Sequence, residues 1–261
     1  MKQGLKKLPY IYVAGITIIT YIPILLTVIY SFNESKLSTV WTGFSLKWYE
    51  ELFRDREIRE ALVNSLILAG LSCFCAVIIG TTGALGMHRR KSKINDAVAS
   101  VSMIPIMIPE IILGMVFLSV FSFMGLPFGM LTLVIAHTTF CIPYIYSMVK
   151  ARLTGMDKAL EEAAKDLGAS PMRVFFDITL PLIMPAILSG CMLAFAMSFD
   201  DVVISIFVTG PTVNTLPIKI YTQIKTGITP KINALATMML LITIVLLILS
   251  AMIGRINKTQ K

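Results

Sequence analysis

Charged residues are scarce in this 261-residue chain: they make up 15% of it, whereas hydrophobic residues make up 56% and the mean hydropathy is +0.80. A soluble domain of this length has too little interior to hide so much apolar surface, which excludes that class. The composition therefore indicates a polytopic membrane protein. The net charge of +8 does not indicate nucleic-acid binding, because the basic residues lie in short segments between apolar runs, an arrangement that sets membrane topology.

The sequence also lacks the motifs of common enzymes. It has no G-x-x-x-x-G-K-[ST] phosphate loop, no G-x-S-x-G turn, no H-E-x-x-H pair and no glycine-rich dinucleotide loop. We therefore predict a chain that is not an enzyme, has no ATPase site of its own and holds no cofactor or metal. Two isolated histidines, His88 and His137, are interpreted as structural. Four cysteines within apolar runs are interpreted as small buried residues rather than disulfide partners or metal ligands: Cys73, Cys75, Cys141 and Cys191.

Six apolar stretches are long enough to cross a hydrocarbon core, which takes about 20 residues. The first follows a basic N-terminus and is interpreted as an uncleaved span, since it is too long for the core of a signal peptide. With six spans, all the strongly basic segments fall on one side of the membrane, so both termini are predicted to be cytoplasmic. The predicted spans are 10–32, 61–87, 94–123, 128–149, 174–198 and 232–253, and the basic segments are 2–7, 89–93, 150–173 and 255–261.

Three carboxylates lie in otherwise apolar segments. Pro105 and Pro109 break the third predicted span just before Glu110, and Asp200 and Asp201 interrupt a second apolar run. Carboxylates are costly in a membrane unless they face the bundle interior or a water-filled cavity, so the three predict an acidic pathway for a cationic solute.

Structural alternatives remain open for each of these carboxylates. Glu110 can instead lie near the outer interface or pair with a lysine. Neighbouring residues on a helix point about 100° apart, so Asp200 and Asp201 need not share a role. One of them can cap a helix end or pair with Lys219 while the other meets the solute.

The stretch from 157 to 185 is the most polar segment among the spans. Asp157 is a predicted N-cap, and Leu160, Ala163, Ala164 and Leu167 recur on one helix face. Gly168 then favours a left-handed C-terminal turn, and Ser170-Pro171 begins a new helix with a cap residue and a proline at its first position. The segment predicts a short amphipathic helix, a sharp turn and a helix that enters the membrane.

The same stretch contains the pattern EAA, three residues, G, nine residues, I-x-L-P. The chain therefore resembles the membrane subunits of bacterial binding-protein-dependent ABC importers. The resemblance implies an all-α fold of six transmembrane helices, the type I importer permease fold, as one domain over 1–261 in the bacterial cytoplasmic membrane. It also implies that the helix at about 157–168 is a coupling helix. The motif residues are Glu162, Ala163, Ala164 and Gly168, which would contact the ATPase, and Ile178, Leu180 and Pro181, which would enter the next span.

Further segments resemble the spermidine/putrescine permeases of that family: SFNES, LEEAAKDLGAS, MSFDDVVISIFVTGP, LPIKIY and INALAT. They imply a polyamine substrate, a second homologous permease, two ATP-binding subunits that hold Mg-ATP, and an extracytoplasmic solute-binding protein. Transport would then proceed by alternating access. The alternatives are an ABC permease for another solute such as iron(III) or phosphonate, an ion-coupled secondary transporter, and a membrane-embedded enzyme or scaffold.

Overall fold

The computed structural model describes residues 2–36, 40–89, 92–157, 159–227 and 229–256, and these residues are almost entirely helical. Among them there is no β-strand, only an isolated bridge between Asn33 and Phe44. The basic residues Arg90, Lys91, Lys158, Lys258 and Lys261, used above to predict topology, lie outside the described part of the chain. The helices are α1 Lys2–Tyr30, α2 Lys47–Arg54, α3 Arg56–Arg89, α4 Lys93–Ser102, α5 Ile104–Met107, α6 Glu110–Phe123, α7 Met130–Thr154, α8 Ala159–Asp166, α9 Pro171–Val174, a π-helix Phe175–Thr179, α10 Leu180–Asp200, α11 Val203–Val208, α12 Leu216–Thr226 and α13 Pro230–Ile256.

Four helical segments of the described chain are long and apolar enough to cross a membrane: Tyr12–Tyr30, Arg56–His88, Met130–Thr154 and Pro171–Asp200. They correspond to the predicted spans one, two, four and five. The last helix contributes only the shorter apolar segment Pro230–Val245 by the same measure. The all-helical membrane fold is thus confirmed, whereas the count of six spans stays a prediction.

The third predicted span is not one helix. Lys93–Met107 and Glu110–Phe123 meet at an angle of 109°, and the pair makes a fifth crossing only if it is counted as one broken span. The break lies at Ile108 and Pro109, both of which have extended backbone with ψ of 136° and 132°. A proline disfavours helical backbone in the residue before it and has no amide hydrogen to donate. Pro109 therefore breaks the helix just before Glu110, as the sequence predicted, whereas Pro105 lies within α5.

The chain divides into two compact units. The first unit comprises Met1–Arg59 and Lys219–Ile242. In this unit the buried Trp48 donates its indole N–H to the carbonyl of Asn33 at 2.6 Å. Two lysines form ion pairs there, Lys231 with Asp55 at 2.7 Å and Lys219 with Glu57. Lys219 is therefore paired within its own unit.

The second unit comprises Glu60–Ile218 and Thr243–Lys261, and its helix α7 is the most buried of the four candidate spans. Ile145 on α7 is fully buried, and glycines of two other helices face it. A Cβ added to Gly80 of α3 would lie 3.1 Å from the Ile145 Cβ, and one added to Gly190 of α10 would lie 3.2 Å from the Ile145 Cα. These small residues let the helix backbones approach closely, as is common in membrane proteins.

The four cysteines are free thiols: Cys73 and Cys141 are buried, and Cys75 and Cys191 are half-buried. The Sγ atoms of Cys73 on α3 and Cys191 on α10 lie 2.9 Å apart. The sequence indicated small residues in apolar runs but not this contact, which adds to the close packing of α3 on α10.

Candidate functional site

Glu110 begins α6 directly after the break at Pro109, and its side chain is exposed. A carboxylate in the first turn of a helix lies where the helix dipole favours negative charge. Glu110 is thus on an accessible surface of the second unit rather than buried in its core.

Asp201 directly follows α10 and caps α11. Its Oδ1 accepts the backbone N–H of Ile204 at 3.2 Å, and its Oδ2 accepts the backbone N–H and the hydroxyl of Ser205, each at 2.9 Å. Asp201 has extended backbone with ψ of 125°, which ends one helix and aims the next. The side chain is only 6% exposed, because these partners lie in the core.

His137 on α7 completes the buried site around Asp201. Its imidazole is fully buried, its Nδ1 lies 2.8 Å from the Ser198 hydroxyl, and its Nε2 lies 3.0 Å from the Ser205 hydroxyl and 3.4 Å from Asp201 Oδ2. Since the Ser205 hydroxyl donates to Asp201, its oxygen accepts from Nε2–H of His137. Nδ1 then accepts from Ser198, so a neutral ring satisfies every one of these polar groups.

Asp200 precedes Asp201 in the last turn of α10, yet it is exposed. The two neighbouring carboxylates therefore have different surroundings, one facing away from the core and one held within it. Lys219, the other residue considered for this pair, forms an ion pair with Glu57 of its own unit. Of the two structural alternatives for this pair, the structure shows a helix cap for Asp201.

Close backbone contacts place α11 beside α6 and α7. A Cβ added to Gly114 of α6 would lie 2.4 Å from the ring of Phe207 on α11. Beyond α11, a Cβ on Gly210 would lie 2.1 Å from the carbonyl oxygen of Phe128. The buried Thr132 hydroxyl, at the start of α7, lies 2.8 Å from the carbonyl of Val208. The direction that α11 takes after Asp201 thus determines how it packs on the helix that Glu110 begins.

The segment after α7 forms the predicted helix, turn and helix. Asp157 accepts the backbone N–H of Ala159 through Oδ1 at 2.9 Å, as an N-cap does, and α8 follows over Ala159–Asp166. Ser170 caps the next helix by accepting the N–H of Arg173, and Pro171 occupies its first position. The local signals in the sequence therefore predicted these ends correctly.

Gly168 makes the turn after α8 with φ of +83°, in the left-handed region. The Gly168 N–H donates to Lys165 O at 2.9 Å, and the Ala169 N–H donates to Ala164 O at 3.0 Å. This pair of bonds is a Schellman motif, which satisfies the last carbonyls of a helix. Any residue with a Cβ is strained in this conformation.

Helix α8 has no buried residue. Its apolar residues are exposed: Leu160 to 49% and Leu167, just beyond the helix, to 90%. Ala163 and Glu162 are exposed and Ala164 is half-buried. Beside them is a cavity of about 270 Å³, lined by Ala164, Leu167, Gly168, Ala169, Arg173, Val174, Asp177 and Ile178. Three motif residues, Ala164, Gly168 and Ile178, thus line an open surface.

Two contacts reach the start of the helix that follows this loop, one from α8 and one from the end of α7. The buried Thr179 hydroxyl donates to Glu161 Oε1 of α8 at 2.7 Å, and Arg152 at the end of α7 donates to the carbonyl of Leu182 at 2.8 Å. Thr179 ends the π-helix, which immediately precedes Leu180 and Pro181. A π-helical turn is rare and, where it interrupts an α-helix, often lies at a functional site. Motion of α8 can therefore act on the base of α10 through a hydrogen bond as well as through the chain.

Sequence reasoning missed the partners of the acidic residues. His137 was interpreted as an isolated structural residue; it is indeed buried and hydrogen-bonded, but it contacts Asp201 across 64 positions of sequence. An ionisable residue within an apolar span is itself a signal of function and could have drawn attention to it. Ser205, four residues after Asp201, is the nearest local sign of the cap. Nothing in the sequence near Thr179 points to Glu161.

Sequence comparisons support the resemblance. A family profile described as "Binding-protein-dependent transport system inner membrane component" matches residues 76–258. The chain is 40% identical over 237 residues to the spermidine/putrescine transport system permease protein PotC of Haemophilus influenzae, covering 91% of this chain and 92% of that protein. It is 44% identical over 227 residues to the putrescine transport system permease protein PotI of Escherichia coli, covering 84% and 81%.

Solved structures with the same fold are ABC transporters. A bacterial transporter that imports the acidic polysaccharide alginate matches with a TM-score of 0.74 at 16% identity, covering 99% of this chain and 98% of that one. The MetNI methionine transporter in inward-facing form matches with a TM-score of 0.65 at 19% identity, covering 77% and 98%. At these identities the likeness concerns the fold, and the profile and the relatives identify the family. With its EAA-G-I-x-L-P loop and its helical membrane fold, the chain belongs to the inner membrane components of binding-protein-dependent transport systems.

Proposed function

We propose that the chain is a permease subunit of an ATP-driven polyamine importer in the bacterial cytoplasmic membrane. The observation that carries this proposal is the match, over most of both chains, to permeases named for spermidine/putrescine and putrescine transport. The chain spans the membrane six times in this proposal, as one domain with both termini cytoplasmic. The exposed acidic residues Glu110 and Asp200 support a cationic cargo, since an ammonium group is stabilised by carboxylates that line its path.

The α8 surface is the proposed contact with the ATPase. Glu162, Ala163, Ala164 and Gly168 form this contact, and Ile178, Leu180 and Pro181 carry its motion into α10. Support comes from the absence of any buried residue on α8 and from the exposed Leu160 and Leu167, which a partner would cover. The partner is one of two ATP-binding subunits, and these hold Mg-ATP because this chain has no phosphate loop.

The transport cycle in this proposal is alternating access. An extracytoplasmic binding protein delivers the polyamine, and a second, homologous permease completes the pathway with Glu110 and Asp200 of this chain. Asp201, predicted from the sequence to line the same pathway, lies beside it as the buried cap of α11. Closure of the ATPases moves α8, and the Glu161–Thr179 bond and the tight Gly168 turn transmit that motion to α10. The solute is thereby released toward the cytoplasm.

Reconstitution of the complete transporter in proteoliposomes tests the proposal. Labelled spermidine and putrescine are expected to accumulate only with ATP on the ATPase side and with binding protein on the other side. Iron(III) and phosphonate serve as competing cargoes and are expected to show no uptake. Uptake that needs an ion gradient but no ATP, or uptake of another cargo in preference to polyamines, would refute the proposal.

A further inference from the structure

The buried cluster around His137 gives the two neighbouring aspartates, Asp200 and Asp201, different surroundings and therefore different roles. Helix α10 ends at Asp200 and α11 begins at Val203, so a break of two residues redirects the chain. The carboxylate at this break, Asp201, points into the core and not toward a solute. The residues that hold Asp201 in the core are His137 on α7 and Ser205 on α11.

The contacts of Asp201 leave little room for a ligand. Its Oδ2 receives the backbone N–H and the hydroxyl of Ser205 and has His137 Nε2 at 3.4 Å, while its Oδ1 receives the N–H of Ile204. With donors on both oxygens and a side chain 6% exposed, the carboxylate is satisfied within the fold. An ammonium group of a solute would have to break these bonds to reach it.

His137 is held as firmly as the group that it contacts. The Ser198 hydroxyl, in the last two turns of α10, lies 2.8 Å from Nδ1 and so fixes the ring from its other side. Ser198 and Ser205 are both buried, at 2% and 0% exposure. The imidazole therefore bridges α10 and α11 across their break and fixes the angle between them.

We propose that His137 is the positioning residue of the acidic site: it holds Asp201 in the core as the cap of α11, so that Asp200 alone of the pair faces the solute pathway. The contact role of Asp200 rests on the proposed polyamine transport, whereas the burial of Asp201 by His137 does not. His137 orients the Ser205 hydroxyl that donates to Asp201, and its Nε2 also lies 3.4 Å from Asp201 Oδ2. A buried carboxylate whose donors are weakened has a desolvation cost, so loss of His137 favours conformations in which Asp201 turns toward water.

Three substitutions on α7 separate positioning from general packing. His137→Leu keeps much of the volume and removes both ring nitrogens. His137→Gln places an amide nitrogen near the position of Nε2, so it can still donate toward Ser205 and Asp201. Thr138→Val is the matched control, since Thr138 is the next residue, is 8% exposed and has a hydroxyl with no hydrogen-bond partner in the described structure.

Carbodiimide labelling of carboxylates in the assembled transporter measures how accessible Asp200 and Asp201 are, and it needs no transport. Fragment mass spectra resolve Asp200 from Asp201 in the same peptide. In the unsubstituted protein and in Thr138→Val, Asp200 is expected to react and Asp201 to be protected. His137→Leu is expected to raise labelling of Asp201 by about 10-fold, which corresponds to loss of a buried hydrogen bond, and His137→Gln to restore most of the protection.

Uptake kinetics measure the consequence for transport. Asp200→Asn is expected to raise the KM for spermidine with little change in maximal rate, because it removes a contact to the solute. His137→Leu and Asp201→Asn are expected to lower the maximal rate, and their double variant to lower it no further than the stronger single change, because both act through the same cap.

The labelling and the uptake experiments test different claims, so a negative result in one does not decide the other. Equal labelling of Asp200 and Asp201 in the unsubstituted protein, or an Asp201 still protected in a correctly assembled His137→Leu transporter, would overturn the inference. Additive effects of His137→Leu and Asp201→Asn on the maximal rate would also overturn it. A correct labelling pattern in a transporter that does not carry polyamines would instead overturn the proposed function and leave the placement of Asp201 intact.

Discussion

Two polar regions of the same unit are built in opposite ways. The α8 loop, residues 157–170, has no buried residue on its helix and is closed by bonds between neighbours in sequence, those of Asp157, Gly168 and Ser170. The cap site, Asp201 with His137, Ser198 and Ser205, is buried and joins α7 to α10 and α11. An open surface held by local bonds suits a contact with a partner, whereas a buried network suits a fixed orientation of groups that meet a solute.

Substitutions of glycine test the difference between the buried and the open region most strongly. Gly210→Ala, just after the helix that Asp201 caps, is expected to have the largest effect on stability. Gly210 lies in the turn after α11, where a Cβ would meet the Phe128 carbonyl oxygen at 2.1 Å, and backbone cannot move aside as a side chain can. We expect a loss of stability of about 3 kcal/mol from this overpacking. Thermal unfolding of the purified transporter measures it.

Gly86→Ala in α3 is the matched control for that substitution, because its Cβ would meet nothing within 4 Å. Alanine has a higher helix propensity than glycine, so this variant is expected to be as stable as the parent chain or slightly more stable. Equal unfolding temperatures for Gly210→Ala and Gly86→Ala would contradict the packing described for the turn after α11.

In the α8 loop, Gly168→Val is expected to lower the stability less than Gly210→Ala does, but to weaken the coupling between ATP hydrolysis and uptake. The space around Gly168 is open, so the penalty is only the left-handed backbone at φ of +83°, about 1–2 kcal/mol for a residue with a Cβ. We expect an assembled transporter that hydrolyses ATP with reduced uptake. Gly168→Asn is the control, because asparagine tolerates this conformation better than valine does. Normal uptake by assembled Gly168→Val would refute a coupling role for this turn.

The bond between the α8 loop and α10 gives a smaller effect. Thr179→Val removes the hydroxyl that donates to Glu161 and keeps the side-chain shape, which is expected to cost about 1 kcal/mol. Thr179→Ser retains the hydroxyl and is expected to behave as the parent chain does. Uptake per ATP hydrolysed is the measurement, and indistinguishable values for the valine and serine variants would show that the bond does not transmit motion.

The Asp55–Lys231 ion pair, in the other unit, belongs to neither region and provides a comparison for the size of a charge effect on stability. Burial raises the pKa of Asp55, but hydrogen bonds from Lys231 and from the backbone N–H groups of Ile58 and Glu57 outweigh it and hold the pKa below its usual value of 3.8. A lowered folded-state pKa contributes stability that is present above the unfolded-state value and is lost as the pH falls through the folded-state value.

Asp55→Asn is therefore expected to be less stable than the parent chain at pH 7, by at most about 1 kcal/mol because the pair is partly exposed. The difference is expected to shrink below about pH 4, where the parent carboxylate becomes protonated. Chemical unfolding of the two proteins at both pH values measures it. A difference that grows on acidification would contradict the lowered pKa.

The two regions also differ in how far their structure could be predicted from sequence. Asp157, Gly168 and Ser170 act on residues within five positions of themselves, so cap and turn signals were enough to predict the ends of the helices. The break before Glu110 followed from Pro109 for the same reason, although its angle of 109° did not.

The cap site needed the tertiary fold. Asp201 and His137 meet because α7 packs on α10, two helices distant in the chain whose close approach at Ile145 and Gly190 is part of the same contact. No local rule indicates which of two adjacent aspartates turns inward, and the sequence left that choice open. Likewise, the Thr179–Glu161 bond depends on how the π-helix orients the base of α10.

The most direct test of the division between the regions is a single reconstitution assay that measures, in each variant, the KM for spermidine and the ATP hydrolysed per spermidine imported. The cap site is represented by the exposed carboxylates that it positions, Asp200 beside the cap and Glu110 on the helix against which α11 packs. Asp200→Asn and Glu110→Gln are expected to raise the KM and to leave the ATP cost unchanged. Gly168→Val is expected to raise the ATP cost and to leave the KM unchanged. Substitutions in both regions that shift the same quantity, or a Glu110→Gln transporter with normal uptake at normal expression, would contradict the assignment of cargo to one region and coupling to the other.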